Sequence, residues 1–286
     1  SKKMRNKKLK ISLQGALGSY SHQACTKLFK NATAIPCDSF EGAIDFVRKG
    51  KADKAILPVE NSTYGRVADI HALLPDSKLF ITAEYFLPVD ICMLGTKGSS
   101  LQGIKSAMSH PVLIGQCKKF LRINKIRSVA GYDTAGSAKI VAQNNKPEIG
   151  AIASKIAAKI YNLKVLSEKI QDNKNNTTRS LIMEKKPKHF IKKEKKVITS
   201  ILFQVRNIPA ALYKAMGGFA TNNVNMIKLE SYMLGGSFKA TQFFADIEGH
   251  PEDDTVKRAM EELSYFTTKL VVIGVYKQHP FRYNSD

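Results

Sequence analysis

Apolar and polar positions alternate at Leu9, Ile11 and Leu13, as in a half-buried strand, and the run breaks at Gly15-Ala16-Leu17-Gly18. Ser19 or Ser21 then caps a helix expected to run to about Lys30. A short strand is predicted at 34–36. Ser39 caps a helix whose apolar positions Phe40, Ala43, Ile44 and Val47 share one face, with Gly50 as its stop. Residues 55–57 read as a buried strand ending at Pro58. Strands follow at 80–83 and 89–94. Strand–helix pairs come next: 104–108 with a helix from Pro111, 127–130 with a helix from Ala135, and 151–153 with a helix to Tyr161. Strands separated by helices imply an α/β fold with a mostly parallel sheet.

The pattern changes after a lysine-rich linker at 185–196 that contains Pro187. A strand at 197–205 leads to a helix at 209–221 with Pro209 in its first turn. Strands at 224–232 and 240–247, a helix at 251–266 and a strand at 269–276 complete the order βαββαβ, that of the ferredoxin-like split unit. Its edge strands favour pairing with a second copy.

The formal charge of +21 raises the question of nucleic acid, and its distribution answers it. Residues 197–286 are neutral, with nine Lys/Arg and nine Asp/Glu, whereas 1–10 carry six positive charges and 185–196 a net +6. Nucleic-acid arms interleave Arg and aromatics for stacking, but the cations of these segments are almost all Lys, with one Phe between them. They read as solvated segments, and no nucleic-acid partner is expected; the field can still steer an acidic small substrate. No apolar run approaches the ~20 residues of a membrane span, so no membrane partner is expected. No apolar stretch follows the basic start as in a secretory signal, which points to a cytoplasmic protein. Cys25, Cys37, Cys92 and Cys117 lie far apart with no histidine at ligand spacing, so they read as reduced core thiols rather than a metal site or disulfide scaffold. The chain has no dinucleotide glycine motif, and no cofactor is expected.

Polar clusters fall where strands end and helices begin: Gly18-Ser19-Tyr20-Ser21, Glu60-Asn61-Ser62, Ser109-His110-Pro111 and Asp133-Thr134-Ala135. Ligands of α/β sheets bind at such junctions. Each cluster alone is ordinary capping chemistry; four together point to a shared site.

These stretches, with Pro58 and Val59 before Glu60, Gln116, Ile170-Gln171-Asp172 and Asn176-Thr177-Thr178-Arg179, occur in an order that resembles prephenate dehydratase with a C-terminal ACT regulatory domain. The resemblance covers nearly the whole chain. It implies an α/β, two-lobed, periplasmic-binding-protein-like catalytic domain at 9–184, with one lobe at 9–83 plus 165–184 and the other at 84–164. The linker 185–196 would then join it to a ferredoxin-like (βαββαβ) ACT domain at 197–280. The implied activity is the decarboxylating dehydration of prephenate to phenylpyruvate in L-phenylalanine biosynthesis, feedback-inhibited by L-phenylalanine, in a homodimer or homotetramer.

The resemblance also assigns roles. Thr178 is the donor to the departing hydroxyl, with Glu60 as a second acid or as an acceptor. Asn61 and Gln116 orient the substrate. Ser21, Ser62, Ser109, Thr134, Ala135, Asn176 and Thr177 offer hydroxyls or backbone groups for substrate binding. Arg179 pairs either with a substrate carboxylate or in a structural salt bridge. His110, before Pro111, reads as loop-shaping, and Cys117 is not a nucleophile. Pro209, Ala210, Ala211, Leu212, Asn225, Glu230 and Ser231 would line the phenylalanine pocket. Three positions depart from the family pattern: Ala210 stands where Gly is usual, Tyr232-Met233 where Arg-Pro is usual, and Ser180 where Phe is usual, which implies a looser site. Two other readings compete: a solute-binding protein of the same architecture without chemistry, and a nucleic-acid regulator that rests only on charge. Thr178 and the appended βαββαβ unit favour the enzyme.

Overall fold

A computed structural model of the chain describes residues 7–188, 196–233 and 242–284. In chain order it holds β1 (Lys10–Gln14), α1 (Tyr20–Leu28), β2 (Thr33–Cys37), α2 (Phe40–Arg48), β3 (Lys54–Asn61), β4 (Gly65–Arg66), α3 (Ala68–Leu73) and β5 (Phe80–Pro88). Next come β6 (Cys92–Gly95), β7 (Ser106–Ser109), α4 (Pro111–Gln116), α5 (Lys118–Ile123), β8 (Arg127–Ala130), α6 (Thr134–Asn144), β9 (Ile149–Ala153), α7 (Lys155–Tyr161), β10 (Lys164–Ser167) and β11 (Thr177–Glu184). The last third holds β12 (Val197–Val205), α8 (Ala211–Thr221), β13 (Met226–Tyr232), β14 (Gln242–Glu248), α9 (Asp254–Tyr265) and β15 (Thr267–Lys277).

The strand expected to end at Pro58 runs on to Asn61. Proline suits extended backbone and lacks only its ladder N–H, so Glu60 and Asn61 sit on regular strand geometry. The helix expected from Pro209 begins at Ala211, because Ala210 adopts the left-handed region at φ 54°. That conformation costs a residue with a Cβ about 1–2 kcal/mol, which is the physical reason glycine suits the position. The strand expected at 240–247 is described from Gln242; residues 240 and 241 lie outside the described residues.

The chain divides into two compact units: Ser1–Ala43, Glu60–Arg66 and Leu87–Arg179 form the first, and Ile44–Val59, Val67–Phe86 and Ser180–Asp286 the second. In the first, β1 pairs in parallel with β2, and a five-stranded sheet has the order β10-β6-β9-β7-β8. The expectation of a mostly parallel sheet needs correction there. β7 is parallel to β8 and β9, but β6 is inserted antiparallel between β9 and β10. A neighbour of opposite direction needs no long crossover of its own. Alternate residues feed two cores: Met93 and Ile152 pack with Cys117 and Leu121, whereas Cys92, Leu94, Ala151 and Ala153 pack with Ala138, Val141 and Ala157.

In the second unit β13-β14-β12-β15 form the ferredoxin-like sheet, antiparallel throughout. α8 and α9 cover one face through Ala215, Phe219, Val256, Ala259 and Leu263, set on Ile201, Phe203, Ala245 and Ile247. On the other face His71 of α3 meets the Phe244 ring edge-on at 5.4 Å, and Ser200 Oγ donates to Asp246 Oδ1 (2.5 Å) beside the Tyr276 hydroxyl (2.7 Å). β15 reaches β5 in parallel at Gly274–Ile81. A Cβ at Gly274 would lie 2.6 Å from both Cβ and the carbonyl oxygen of Ile81, so the contact requires glycine. After β15 the chain turns at Pro280–Arg282 and lies back on β5, with Phe281 stacked on Phe86 at 4.8 Å. No helix among the described residues is long and apolar enough to cross a membrane.

Candidate active site

The end of β3 and the start of β11 carry the centre of the site. β3 turns at Ser62 into β4, with Glu60 opposite Arg66 and Asn61 opposite Gly65. Asn61 Oδ1 accepts from the backbone N–H groups of Thr63 (2.8 Å) and Tyr64 (3.3 Å), an Asx turn that fixes the side chain. Its amide nitrogen is therefore aimed outward: Asn61 Nδ2 donates to Asn176 Oδ1 (2.8 Å) and to Thr178 Oγ1 (2.9 Å). Asn176 Nδ2 in turn donates to Gln116 Oε1 (2.6 Å) at the end of α4. Gln116, Asn176, Asn61 and Thr178 thus form one hydrogen-bonded chain drawn from three separate stretches of sequence.

The backbone locks this chain in place. Ser62 N–H donates to the Thr177 carbonyl (2.9 Å), Thr177 N–H donates to Ser62 Oγ (2.9 Å), and Ser62 Oγ donates to the Asn175 carbonyl (2.6 Å). Asp172 N–H donates to the Gln116 carbonyl (2.7 Å), while Asp172 Oδ1 accepts from Lys119 N–H (3.1 Å) at the start of α5. Val89 N–H donates to the Asn176 carbonyl (2.8 Å), and Ile91 N–H to Gln171 Oε1 (2.9 Å).

Successive strand residues point to opposite faces. Glu60 and Arg179, next to Asn61 and Thr178, therefore project away from the amide chain, and they pair with each other: Arg179 Nη1 lies 3.1 Å from Glu60 Oε1. The Arg179 side chain is 2% exposed and that of Glu60 35%. Ser180, where an aromatic residue is usual, is buried.

The other hydroxyls are placed on other loops. Ser109 is buried and its Oγ donates to the Ile152 carbonyl (2.7 Å), so that hydroxyl is committed to the sheet interior. His110 caps α4, with Nδ1 accepting from Val112 N–H (3.1 Å). Thr134 and Ala135 open α6 behind the Asp133 cap, and Ser21 lies in the first turn of α1. Among the described residues no hydrogen bond ties Ser21 or Thr134 to the amide chain. Burial pushes the Cys25 and Cys92 thiols up to about 11 and Cys117 to about 12, the reverse of an activated nucleophile.

The loop before α1 is held from two sides. Gly18, at φ +94°, leaves 3.2 Å between an added Cβ and Ala157 Cα, so its hydrogen lets the loop approach α7. Ser154 Oγ donates to the Gly18 carbonyl (2.6 Å), and Tyr161 OH to the Leu17 carbonyl (3.0 Å). Ser19 Oγ accepts from His22 N–H (3.2 Å), while His22 Nδ1 accepts from Gly18 N–H (2.9 Å). Only a neutral imidazole accepts at Nδ1, and burial holds His22 below its ordinary 6.5; burial acts on His279 in the same direction. A depressed histidine stabilises the fold above the unfolded value, and that contribution is lost as pH falls below about 6.5. The unfolding temperature is expected to drop between pH 7.5 and 5.5, and His22→Gln to flatten the drop; equal slopes in the two proteins would take His22 out of the account.

The family model for prephenate dehydratase matches residues 11–188. The chain belongs to that family. It is 43% identical over 272 residues to a bifunctional N-acyl-homoserine lactone acylase/prephenate dehydratase of Komagataeibacter europaeus, covering 95% of this chain and 97% of the relative. It is 36% identical to arogenate dehydratase/prephenate dehydratase 1 of Arabidopsis thaliana, covering 94% and 72%. Among solved structures, prephenate dehydratase of Arthrobacter aurescens in complex with L-Phe superposes with a TM-score of 0.84 at 27% identity, covering 94% of this chain and 90% of that one.

Within this dehydratase the residues named for a phenylalanine pocket lie on two parts of the ferredoxin-like sheet unit. Pro209 and Ala210 are exposed ahead of α8, Ala211 is buried as its first residue, and Leu212 packs on the core. Asn225 is exposed before β13, and Glu230 and Ser231 lie on β13. Sequence reasoning left out Gln171, Asp172 and Ser62's backbone partner Asn175 as supports of the amide chain. The Ile170-Gln171-Asp172 stretch, two polar residues after a buried apolar one in the segment between β10 and β11, is the available signal.

Proposed function

We propose that the chain converts prephenate to phenylpyruvate, carbon dioxide and water. The observation that carries this reading is the Gln116–Asn176–Asn61–Thr178 chain, with Asn61 Nδ2 2.9 Å from Thr178 Oγ1. Breaking the bond from C1 to the ring carboxylate sends its electron pair through the ring and expels hydroxide from C4. One proton turns that hydroxide into water, so the reaction is redox-neutral and aromatisation drives it. The protein has to position a dianion and stabilise charge on the departing oxygen.

Thr178 suits the second task. Its oxygen accepts from Asn61, which strengthens its own O–H as a donor toward the leaving oxygen. Asn61 is held by its Asx turn and by Asn176, and Gln116 holds Asn176. Glu60, in its ion pair, acts as the acceptor of Arg179, and the pair braces β3 against β11 rather than gripping a substrate carboxylate. We place the catalytic domain at 9–184, with lobes at 9–83 plus 165–184 and at 84–164, and an ACT domain at 197–280 joined by 185–196. Phenylalanine bound to that domain, as its relative from A. aurescens binds L-Phe, would inhibit a homodimer or homotetramer.

Purified protein is expected to form phenylpyruvate from prephenate, read by its absorbance in alkali; no product from prephenate would overturn the reading. Arogenate is the comparison substrate, because relatives carry that activity in their names. The acylase relative favours a second reading, hydrolysis of N-acyl-homoserine lactones. Release of homoserine lactone in the same preparation would establish it beside the first.

A further inference from the structure

The first turn of α1 carries a phenol packed inside the protein. The Tyr20 ring lies against a cluster that includes Val89, Ile91, Cys117 and Ile170. These residues adjoin Asp90, Gln116 and Gln171 in sequence, and Val89 N–H is the group that donates to the Asn176 carbonyl. The Tyr20 hydroxyl is buried and finds no hydrogen-bond partner among the described residues. Gln23 Oε1, one turn further on the same helix face, is in the same condition. Buried phenols are normally bonded, and phenylalanine would give the same packing without stripping an O–H of water. The loop that positions Tyr20 is tied to α7 at Gly18 and Leu17, so the orientation is not a loose end.

We infer that the Tyr20 hydroxyl is a substrate-binding group that donates a hydrogen bond to the oxo-acid side chain of the substrate. The inference rests on the dehydratase reading of the Asn61–Thr178 site. Chemistry selects the side chain over the ring carboxylate. A donor on the departing carboxylate would hold back the charge that has to enter the ring, whereas a donor on the side chain grips ground state and transition state alike. The phenol remains a neutral donor across the working range: burial, then the nearby thiols of Cys92 and Cys117, then Asp90 and Tyr64, all disfavour its ionisation.

Tyr20→Phe tests the assignment with the full chain. KM for prephenate is expected to rise about ten-fold with kcat nearly unchanged, and the unfolding temperature to stay level or increase. Phenylpyruvate keeps the same side chain, so its affinity measured by calorimetry is expected to fall by about the same factor. Unchanged KM and unchanged phenylpyruvate affinity would overturn the inference and leave the dehydratase reading standing. A fall in kcat at constant KM would move the hydroxyl to the reacting centre and overturn the side-chain assignment. A lower unfolding temperature would show the hydroxyl already bonded in the free protein, and that too would overturn the inference. Wild-type protein that converts neither prephenate nor arogenate would remove the reading and the inference together.

Discussion

Thr178→Ala is expected to lower kcat for prephenate by about 10²–10⁴-fold and to leave KM within a few-fold. The loss falls on kcat because the hydroxyl meets its full load only when the C4 oxygen carries charge. In the ground state that oxygen is a neutral alcohol and gains little from one more donor. Asn61 makes the effect larger than a lone threonine could supply. Its Nδ2 donates to Thr178 Oγ1, so charge shifted onto the threonine oxygen meets a donor already in place at 2.9 Å. Removing the threonine side chain breaks this relay, because Asn61 Nδ2 then has no hydroxyl through which to act. Stability should change little, since Thr178 is only half-buried and Asn61 keeps its bonds to Asn176, Thr63 and Tyr64. Thr178→Ser should retain most of the turnover, because it keeps the oxygen and loses a methyl. Rapid-quench or steady-state kinetics on the three proteins decide the matter: an alanine variant with wild-type kcat takes Thr178 out of the mechanism.

Much of this arrangement is legible in the residues alone, and the parts that are not have a common cause. Helix starts at Ser19 and His110 and the βαββαβ order follow from local signals, capping residues and apolar spacing. The stretches with Asn61, Gln116, Asn176 and Thr178 stand out by their order. Their contacts do not, because Asn61 and Asn176 are 115 residues apart and no local rule carries that far. β11 goes unpredicted since Asn176-Thr177-Thr178-Arg179 is polar; it becomes a strand through the ladder it joins and the burial of Arg179 against Glu60. Pro58 misleads as a strand stop, because a proline inside an extended run is tolerated where its missing N–H is not needed. Ala210 reads only as a residue standing where Gly is usual, and the reason lies in its left-handed backbone, which no local signal shows. Glu84 shows the limit most sharply. It lies just past the strand expected at 80–83 with no local signal of burial, and it is buried because the chain returns to it 198 residues later.

That return underlies the second large effect. Arg282→Ala is expected to destabilise the protein by about 3–5 kcal/mol, lowering the unfolding temperature by roughly 6 °C or more. The Glu84 side chain is 0% exposed. Arg282 Nε donates to Glu84 Oε1 (2.7 Å) and Nη2 to Oε2 (2.8 Å), a fork on a fork, and His279 N–H adds a third bond (3.0 Å). The Arg282 guanidinium also lies over the Phe86 ring at 5.2 Å, on the strand that Phe281 stacks against. Truncating Arg282 takes the forked guanidinium partner from a carboxylate that is 0% exposed, and the cost is the buried charge left without its counter-ion rather than the lost attraction. The double variant Glu84→Leu with Arg282→Met removes both charges and keeps the volume, so it should be more stable than Arg282→Ala alone. Thermal unfolding of wild type, Glu84→Leu, Arg282→Met and the variant carrying both forms a closed cycle. If the losses simply add, the two side chains are independent and the fork contributes nothing beyond packing; a double variant that recovers most of the loss places the energy in the pair.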